Sequence, residues 1–162
     1  MRLAVLSDTH NNEKNLMLAL EQIEIRGLST LVHCGDITGP HIMDLLAGRD
    51  AYFVYGNIDC DVDVLEKKAQ TAFGPGRFGR LLRLTLDGHA VGVCHGHDNA
   101  IDALVGEGSV EYLFHGHTHR RRDEMLSGVR VVNPGAIGGL KSQSRSFCVV
   151  DLEAGSVEFI EL

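Results

Sequence analysis

An α/β fold, with two β-layers and helices outside them, is what this sequence predicts, on three observations. The first half alternates short apolar runs with helix-like stretches, a rhythm that gives a parallel sheet with functional loops at the carboxyl ends of its strands. The second half has a different texture, in which Asp87-Gly88 separates two apolar runs as a two-residue hairpin signal. The whole chain, 162 residues at 44% hydrophobic and 23% charged, is sized for a single domain spanning residues 1–162 with a core that needs no disulfides.

Residues 3–6 read as a buried strand and residues 7–11 as its loop. Asn12 caps a helix in which Leu16, Leu20 and Ile23 recur at helical spacing, and Gly27 ends it. A second strand at 30–34, a short helix at 39–48, a third strand at 51–55 and a helix near 62–70 follow. The glycine-rich stretch 74–79 reads as a flexible loop inside the domain. Strands at 82–86 and 90–94 flank the hairpin turn, and a helix around 98–105 leads into a strand at 111–115. Strands at 129–133, 146–152 and 157–162 complete the chain, the last two joined by a turn at Ala154-Gly155. No fixed repeat and no low-complexity linker interrupts this order.

Composition narrows the function classes. No apolar run nears the roughly 20 residues a membrane helix needs, and the N-terminal stretch from Met1 to Asp8 meets charge too early for a signal-peptide apolar region, so a cytoplasmic protein without membrane contact is expected. Lys+Arg 15 against Asp+Glu 22, a formal net charge of −7, argues against the clustered basic face that extended nucleic acid demands. Cys34, Cys60, Cys94 and Cys148 stand singly, which excludes a zinc ribbon or a thioredoxin-like pair and reads as buried free thiols in a reducing cell. No feature of the sequence specifies an oligomer.

Nine histidines carry more information. Short motifs fall just after the expected strands: Asp8-Thr9-His10, Gly35-Asp36, Gly56-Asn57, His95-Gly96-His97 and Gly116-His117-Thr118-His119. All offer oxygen or imidazole nitrogen and none offers sulfur, a donor set for divalent Mn, Fe, Co, Ni or Zn rather than a thiolate site. Each fragment alone is an ordinary turn or cap. Gly116-His117-Thr118-His119 is stronger, because alternate residues of an extended chain point the same way. Donor motifs at successive strand ends would converge on one rim of the sheet, and chance explains that order poorly.

That ordered series resembles the signature of the calcineurin-like metallophosphoesterase superfamily, from Leu3 to Asn133, and most of all its small single-domain phosphodiesterase branch; Asn133-Pro134-Gly135 is similar to that branch's late turn. The resemblance implies a four-layer α/β/β/α sandwich with two mixed β-sheets. It also implies two divalent ions, manganese first, with iron, nickel, cobalt, zinc or magnesium as alternatives. Asp8, His10, Asp36 and His119 would hold one ion, and Asp36, Asn57, His95 and His117 the other, with Asp36 bridging. Two such ions about 3.5–4 Å apart share a hydroxide for in-line attack on phosphorus and clamp its oxygens. The implied catalytic residues are Asp36, Asn57 and His97.

The pattern departs from the family at one place. Many members carry a histidine directly after the Gly-Asn pair, where this chain has Ile58, which cannot protonate a leaving group. Poor alkoxide leaving groups suffer most from that loss, so activated aryl phosphodiesters are expected ahead of alkyl monoesters. Cys60 is not taken as an equivalent, and Asp59 either supports a ligand or steadies the turn, the turn being preferred. For His97, contact with the substrate phosphate, an alternative acid role and no role weigh evenly. His33 is expected in the core or behind a ligand, His41 at a helix start and His89 facing solvent from the hairpin turn. Arg120-Arg121-Arg122 reads as a solvated loop run of which at most one member reaches substrate, with a phosphate clamp as the other reading.

The resulting expectation is a metal-dependent phosphodiesterase acting on a small phosphodiester. A phosphomonoesterase, or a non-catalytic scaffold like the retromer coat subunit of the same fold, is the alternative. The complete ligand set favours an enzyme over the scaffold. Room for water on both implied ions favours catalysis over a closed structural site.

Overall fold

Alternating side chains along the central strands sort into separate buried clusters, and those clusters define the layers. The computed structural model describes residues 1–139 and 145–162. In β1 (Arg2–Leu6), Leu3 and Val5 join one cluster while Ala4 and Leu6 join another, because successive residues of a strand face opposite sides. Both faces of this strand are therefore dry, which is why it reads as an unbroken apolar run.

One sheet has the order β11-β10-β1-β2-β3-β4. Its strands are β1, β2 (Thr30–His33), β3 (Asp50–Val54), β4 (Phe78–Gly79), β10 (Ser146–Asp151) and β11 (Ser156–Glu161). From β1 to β4 neighbours are parallel, whereas β10 and β11 are antiparallel additions. The other sheet has the order β5-β6-β7-β9-β8, made of β5 (Leu81–Leu86), β6 (His89–Cys94), β7 (Tyr112–Phe114), β8 (Arg122–Leu126) and β9 (Val129–Asn133). Within it β6, β7 and β9 are parallel and the two edges antiparallel.

The cluster holding Leu3, Val5, Val32 and Val54 from the first sheet also holds Val91, Val93, Phe114 and Val132 from the second, so the sheets pack face to face. On the far side of the first sheet lie α1 (Glu13–Ile25), α2 (Pro40–Leu45) and α3 (Val62–Phe73), contributing Leu16, Ile23, Met43 and Leu65 to the outer cluster. On the far side of the second, α4 (Ala100–Glu107) buries Ala100 and Leu104 against Leu113 and Val131. Two mixed sheets between helical layers are the architecture the sequence predicted.

Local chemistry sets the helix ends. The Asn12 side chain accepts from the Asn15 backbone N–H at 3.1 Å to start α1. Pro40 opens α2, where its missing N–H costs nothing. Gly108 closes α4 in the left-handed conformation.

Some expectations need correction. The stretch 74–79 is not all loop, since Phe78–Gly79 pairs in parallel with β3. An unexpected strand, β8, lies at 122–126. It is an edge whose polar residues Arg122, Asp123 and Glu124 hide the period-2 pattern. Cys34, Cys94 and Cys148 are buried, but Cys60 is exposed, because it lies in the turn ahead of α3. His89 is half-buried rather than free in solvent, its ring edge-on to Tyr112 and its Nδ1 2.8 Å from Glu111 Oε2. Among the described residues no helix is long and apolar enough to cross a membrane.

Candidate metal centre

The sequence-predicted donors follow five strands. Asp8 and His10 come after β1, Asp36 after β2, Asn57 after β3, His95 and His97 after β6, and His117 and His119 after β7. The parallel register of β1, β2 and β3, and of β6 with β7, brings these loops to one rim. His95 ties the two sheets there, with its Nδ1 2.7 Å from the Cys34 carbonyl oxygen.

The backbone at this rim is unusual. Asp8, His10, Asp36, His117 and His119 have φ of 54°, 48°, 54°, 67° and 57°, in the left-handed region that costs a non-glycine residue about 1–3 kcal/mol. Main-chain bonds hold them there: Asp8 N–H to Gly35 O at 2.9 Å, and His10 N–H to Asp36 O at 3.0 Å. Glycine is required where loops cross. A Cβ on Gly56 would collide with the Asp36 carboxylate, and one on Gly116 with Ser7 Oγ and Asp8 Oδ2.

Two donor groups result. Asp8, His10, Asp36 and His119 each place a ligand atom within 4.8 Å of the others. His119 Nε2 is 3.2 Å from Asp8 Oδ1 and 3.1 Å from His10 Nε2. Beside this group, His95 Nε2 lies 3.3 Å from Asp36 Oδ2 and 3.1 Å from Asn57 Oδ1. The His117 ring is 5.2 Å from that of His95, and His97 stands next to both, at 5.4 and 6.2 Å between ring centroids. Asp36 is the carboxylate common to the two groups. The structure thus brings together every one of the predicted site residues.

Charge and hydrogen bonding fit a cation. Asp8 Oδ1 is fully buried and accepts no hydrogen bond, an arrangement that costs stability unless a positive ion completes it. Burial disfavours the Asp36 carboxylate, yet His95, the Ile58 N–H and His10 outweigh it and lower its pKa. His95 shows the mirror case: burial lowers its pKa, but Asp36 and the Cys34 carbonyl raise it overall. Its Nδ1–H donates to Cys34 O, so Nε2 keeps the lone pair that faces the site. Burial, then His95, lowers the pKa of His117, keeping that imidazole a ligand rather than a cation.

Supporting residues lock the loops. Asp59 is buried and accepts from Thr38 N–H at 2.6 Å and Gly56 N–H at 2.7 Å, clasping the loops that carry Asp36 and Asn57. These bonds steady the turn and at the same time brace the two ligand loops, so the two readings of Asp59 coincide. Gly35 N–H donates to His33 Nδ1, so His33 Nε2–H donates to Thr9 Oγ1 at 2.8 Å, between the two Asp8–His10 neighbours. Asn133 donates to the Gly116 carbonyl at 2.7 Å and accepts from Gly135 N–H at 2.9 Å, using its turn to hold the His117 loop. His41 sits at the start of α2, 3.2 Å from Glu13.

Ser7, Thr9 and His115 were not singled out from sequence. His115 continues the alternation of His117 and His119 one step back and is buried, its pKa pushed down to about 4 by that burial. Nor is the arginine run a simple solvated loop: Arg122 opens β8, and Arg120, Arg121 and Arg122 line one cavity with His115 and Thr118.

Comparison with known proteins places this geometry in context. The description of the calcineurin-like phosphoesterase superfamily domain matches residues 1–155. A phosphodiesterase of Methanocaldococcus jannaschii is 24% identical over 156 residues, covering 94% of each chain. A solved archaeal phosphodiesterase superposes with a TM-score of 0.92 at 24% identity, both chains covered in full. A phosphoesterase from E. coli follows with a TM-score of 0.69 at 20% identity, covering 99% of this chain and 98% of its own. Vps29 of Entamoeba histolytica, solved with Zn2+, has a TM-score of 0.72 at 18% identity, covering 100% and 98%.

Proposed function

We propose that this chain, which belongs to the calcineurin-like phosphoesterase superfamily, is a phosphodiesterase that works with two divalent metal ions. The observation that carries the reading is the convergence of two donor groups on Asp36, beside a buried Asp8 oxygen that accepts no hydrogen bond. Asp8, His10, Asp36 and His119 would hold one ion, and Asp36, Asn57, His95 and His117 the other. When bound, such ions supply Lewis acidity toward phosphoryl oxygens and make water acidic enough to react near neutral pH.

The chain's own residues do the rest. Asp36, fixed by the Ile58 N–H at 3.3 Å, keeps the two donor groups in register. Asn57 adds an oxygen without adding charge, so the loaded site stays attractive to an anion. Asn57, His97 and His117 are exposed at the rim, which suits an open catalytic site and not a closed structural one. Ile58 turns an aliphatic side chain to solvent where a proton donor is common in the family. Leaving groups that depart without protonation are favoured accordingly. The substrate is a small phosphodiester, the working metal is manganese, and the site of action is the cytoplasm.

The test is hydrolysis of bis(p-nitrophenyl) phosphate and p-nitrophenyl phosphate by metal-stripped protein, with each metal restored in turn. Turnover of the diester ahead of the monoester is expected with manganese. No hydrolysis of either ester with any metal would refute the enzyme reading and leave the scaffold alternative, for which Met17, Leu18 and Ile25 stand exposed on α1.

A further inference from the structure

We propose that the cavity walled by Arg120, Arg121 and Arg122 is a binding site for an oxyanion of the phosphate or carboxylate type. The cavity measures about 520 Å³ and is otherwise lined by His115 and Thr118. Thr118 stands between the ligands His117 and His119, so the cavity shares a wall with the metal-ligand loop.

Consecutive residues of a strand point to opposite faces, and three successive guanidinium groups would ordinarily scatter. Here all three residues line one cavity, in a segment where His119 has a φ of 57° and regular strand geometry begins only at Arg122. Arg121 is oriented by Ser146 Oγ at 3.0 Å and by Glu161 at 2.8 Å. Arg122 is oriented by Glu124 and by the His115 Nε2 acceptor at 3.4 Å. In each arginine these two contacts occupy two nitrogens of the guanidinium fork, and among the described residues the third makes no hydrogen bond. Among the described residues Arg120 has no carboxylate partner. The cluster therefore carries three positive charges against two carboxylates, in a chain whose formal net charge is −7. Held forks with spare N–H groups are the arrangement that bidentate recognition of an oxyanion uses.

The oxyanion has two sources: a second anionic group on the ester substrate, which rests on the phosphodiesterase reading, or a free anion such as inorganic phosphate, which does not. Calorimetric titration of the full-length, chelator-treated protein with inorganic phosphate tests the site itself. Binding is expected in the parent protein, with a loss of about tenfold or more in Arg120→Ala and an unchanged unfolding temperature. Absence of binding, or binding that Arg120→Ala leaves intact, overturns the proposal. Metal-loaded protein then separates the sources, using thymidine 5′-(p-nitrophenyl phosphate) with and without a 3′-phosphate. If the substrate supplies the anion, the parent prefers the 3′-phosphorylated ester in kcat/KM and Arg120→Ala loses that preference. If a free anion is bound instead, the preference is the same in both proteins while phosphate binding still falls. Phosphate binding without turnover of any ester keeps the site and removes the phosphodiesterase reading.

Discussion

Asp8 carries a conflict that only its function resolves. Its side chain is fully buried, one oxygen accepts the His117 backbone N–H at 3.1 Å, and the other, 3.2 Å from His119 Nε2, accepts no hydrogen bond. A stability-optimised core would not keep that second oxygen. Asp8→Asn is therefore expected to leave the metal-free protein as stable as the parent, or more so, while abolishing the stabilisation gained on adding manganese. Paired melting curves with and without metal check this, and an undiminished metal response in the variant refutes the ligand role. His33 presents a second buried group, this time one that shapes pH dependence. Burial lowers its pKa from 6.5 to about 4, so below pH 6.5 the unfolded chain takes up a proton that the folded one refuses. Stability then falls as pH drops through the window from 6.5 to about 4, and is unaffected above it. The linkage amounts to about 3 kcal/mol at the acid end. Unfolding free energies of metal-free protein across that window should decline less steeply in His33→Gln, and equal slopes would show that His33 protonates freely in the folded state.

At the scale of elements, the loops matter more than the strands that carry them. Asp59 binds the backbone N–H of Thr38 and of Gly56, so it joins the segment after β2 to the segment after β3. Asp59→Ala leaves two N–H groups without their partner, at about 1–3 kcal/mol each where they stay buried, and frees Asp36 and Asn57 to drift. A loss of about 10–100-fold in metal affinity is expected, as for other residues that orient ligands from behind, together with a lower melting temperature. A destabilised variant with parental metal affinity would reduce Asp59 to a structural turn residue. These elements also mark what could be seen from residues alone. Strands buried on both faces, such as β1 and β2, announce themselves as apolar runs, and Asp87-Gly88 announces its hairpin. The β8 strand does not: its burial shows no alternation, and Arg122, Asp123 and Glu124 owe their placement to pairing with β9. Likewise β4 is two residues long, shorter than any periodicity can register. The donors were visible as ordered motifs, but the convergence of the arginines was not. They line one cavity beside a left-handed backbone conformation at His119 that no residue pattern specifies.

Across the whole molecule the candidate centre is also a joint. Asp8, His10, Asp36 and Asn57 hang from the first sheet, His95, His117 and His119 from the second, and the shared core between the sheets ends at this rim. Direct links between them include His95 to Cys34 O, to Asp36 and to Asn57, His119 to Asp8 and to His10, and Asp8 to the His117 N–H. Ions held by both sets of donors would fasten one sheet to the other and would also stabilise backbone at five left-handed, non-glycine positions. Metal binding should accordingly act on global unfolding and not merely on local order. A metal present at 100 times its dissociation constant adds about 2.7 kcal/mol by mass action. For a chain of this size that corresponds to a rise in melting temperature of about 5–10 °C. Chelation should reverse it, and hydrogen exchange should slow on metal addition in β1 and β7 alike, since a joint protects both sides. Protection confined to the loops, or to one sheet, would show that the donors bind metal without coupling the sheets. The melting temperature would then follow whichever sheet opens first.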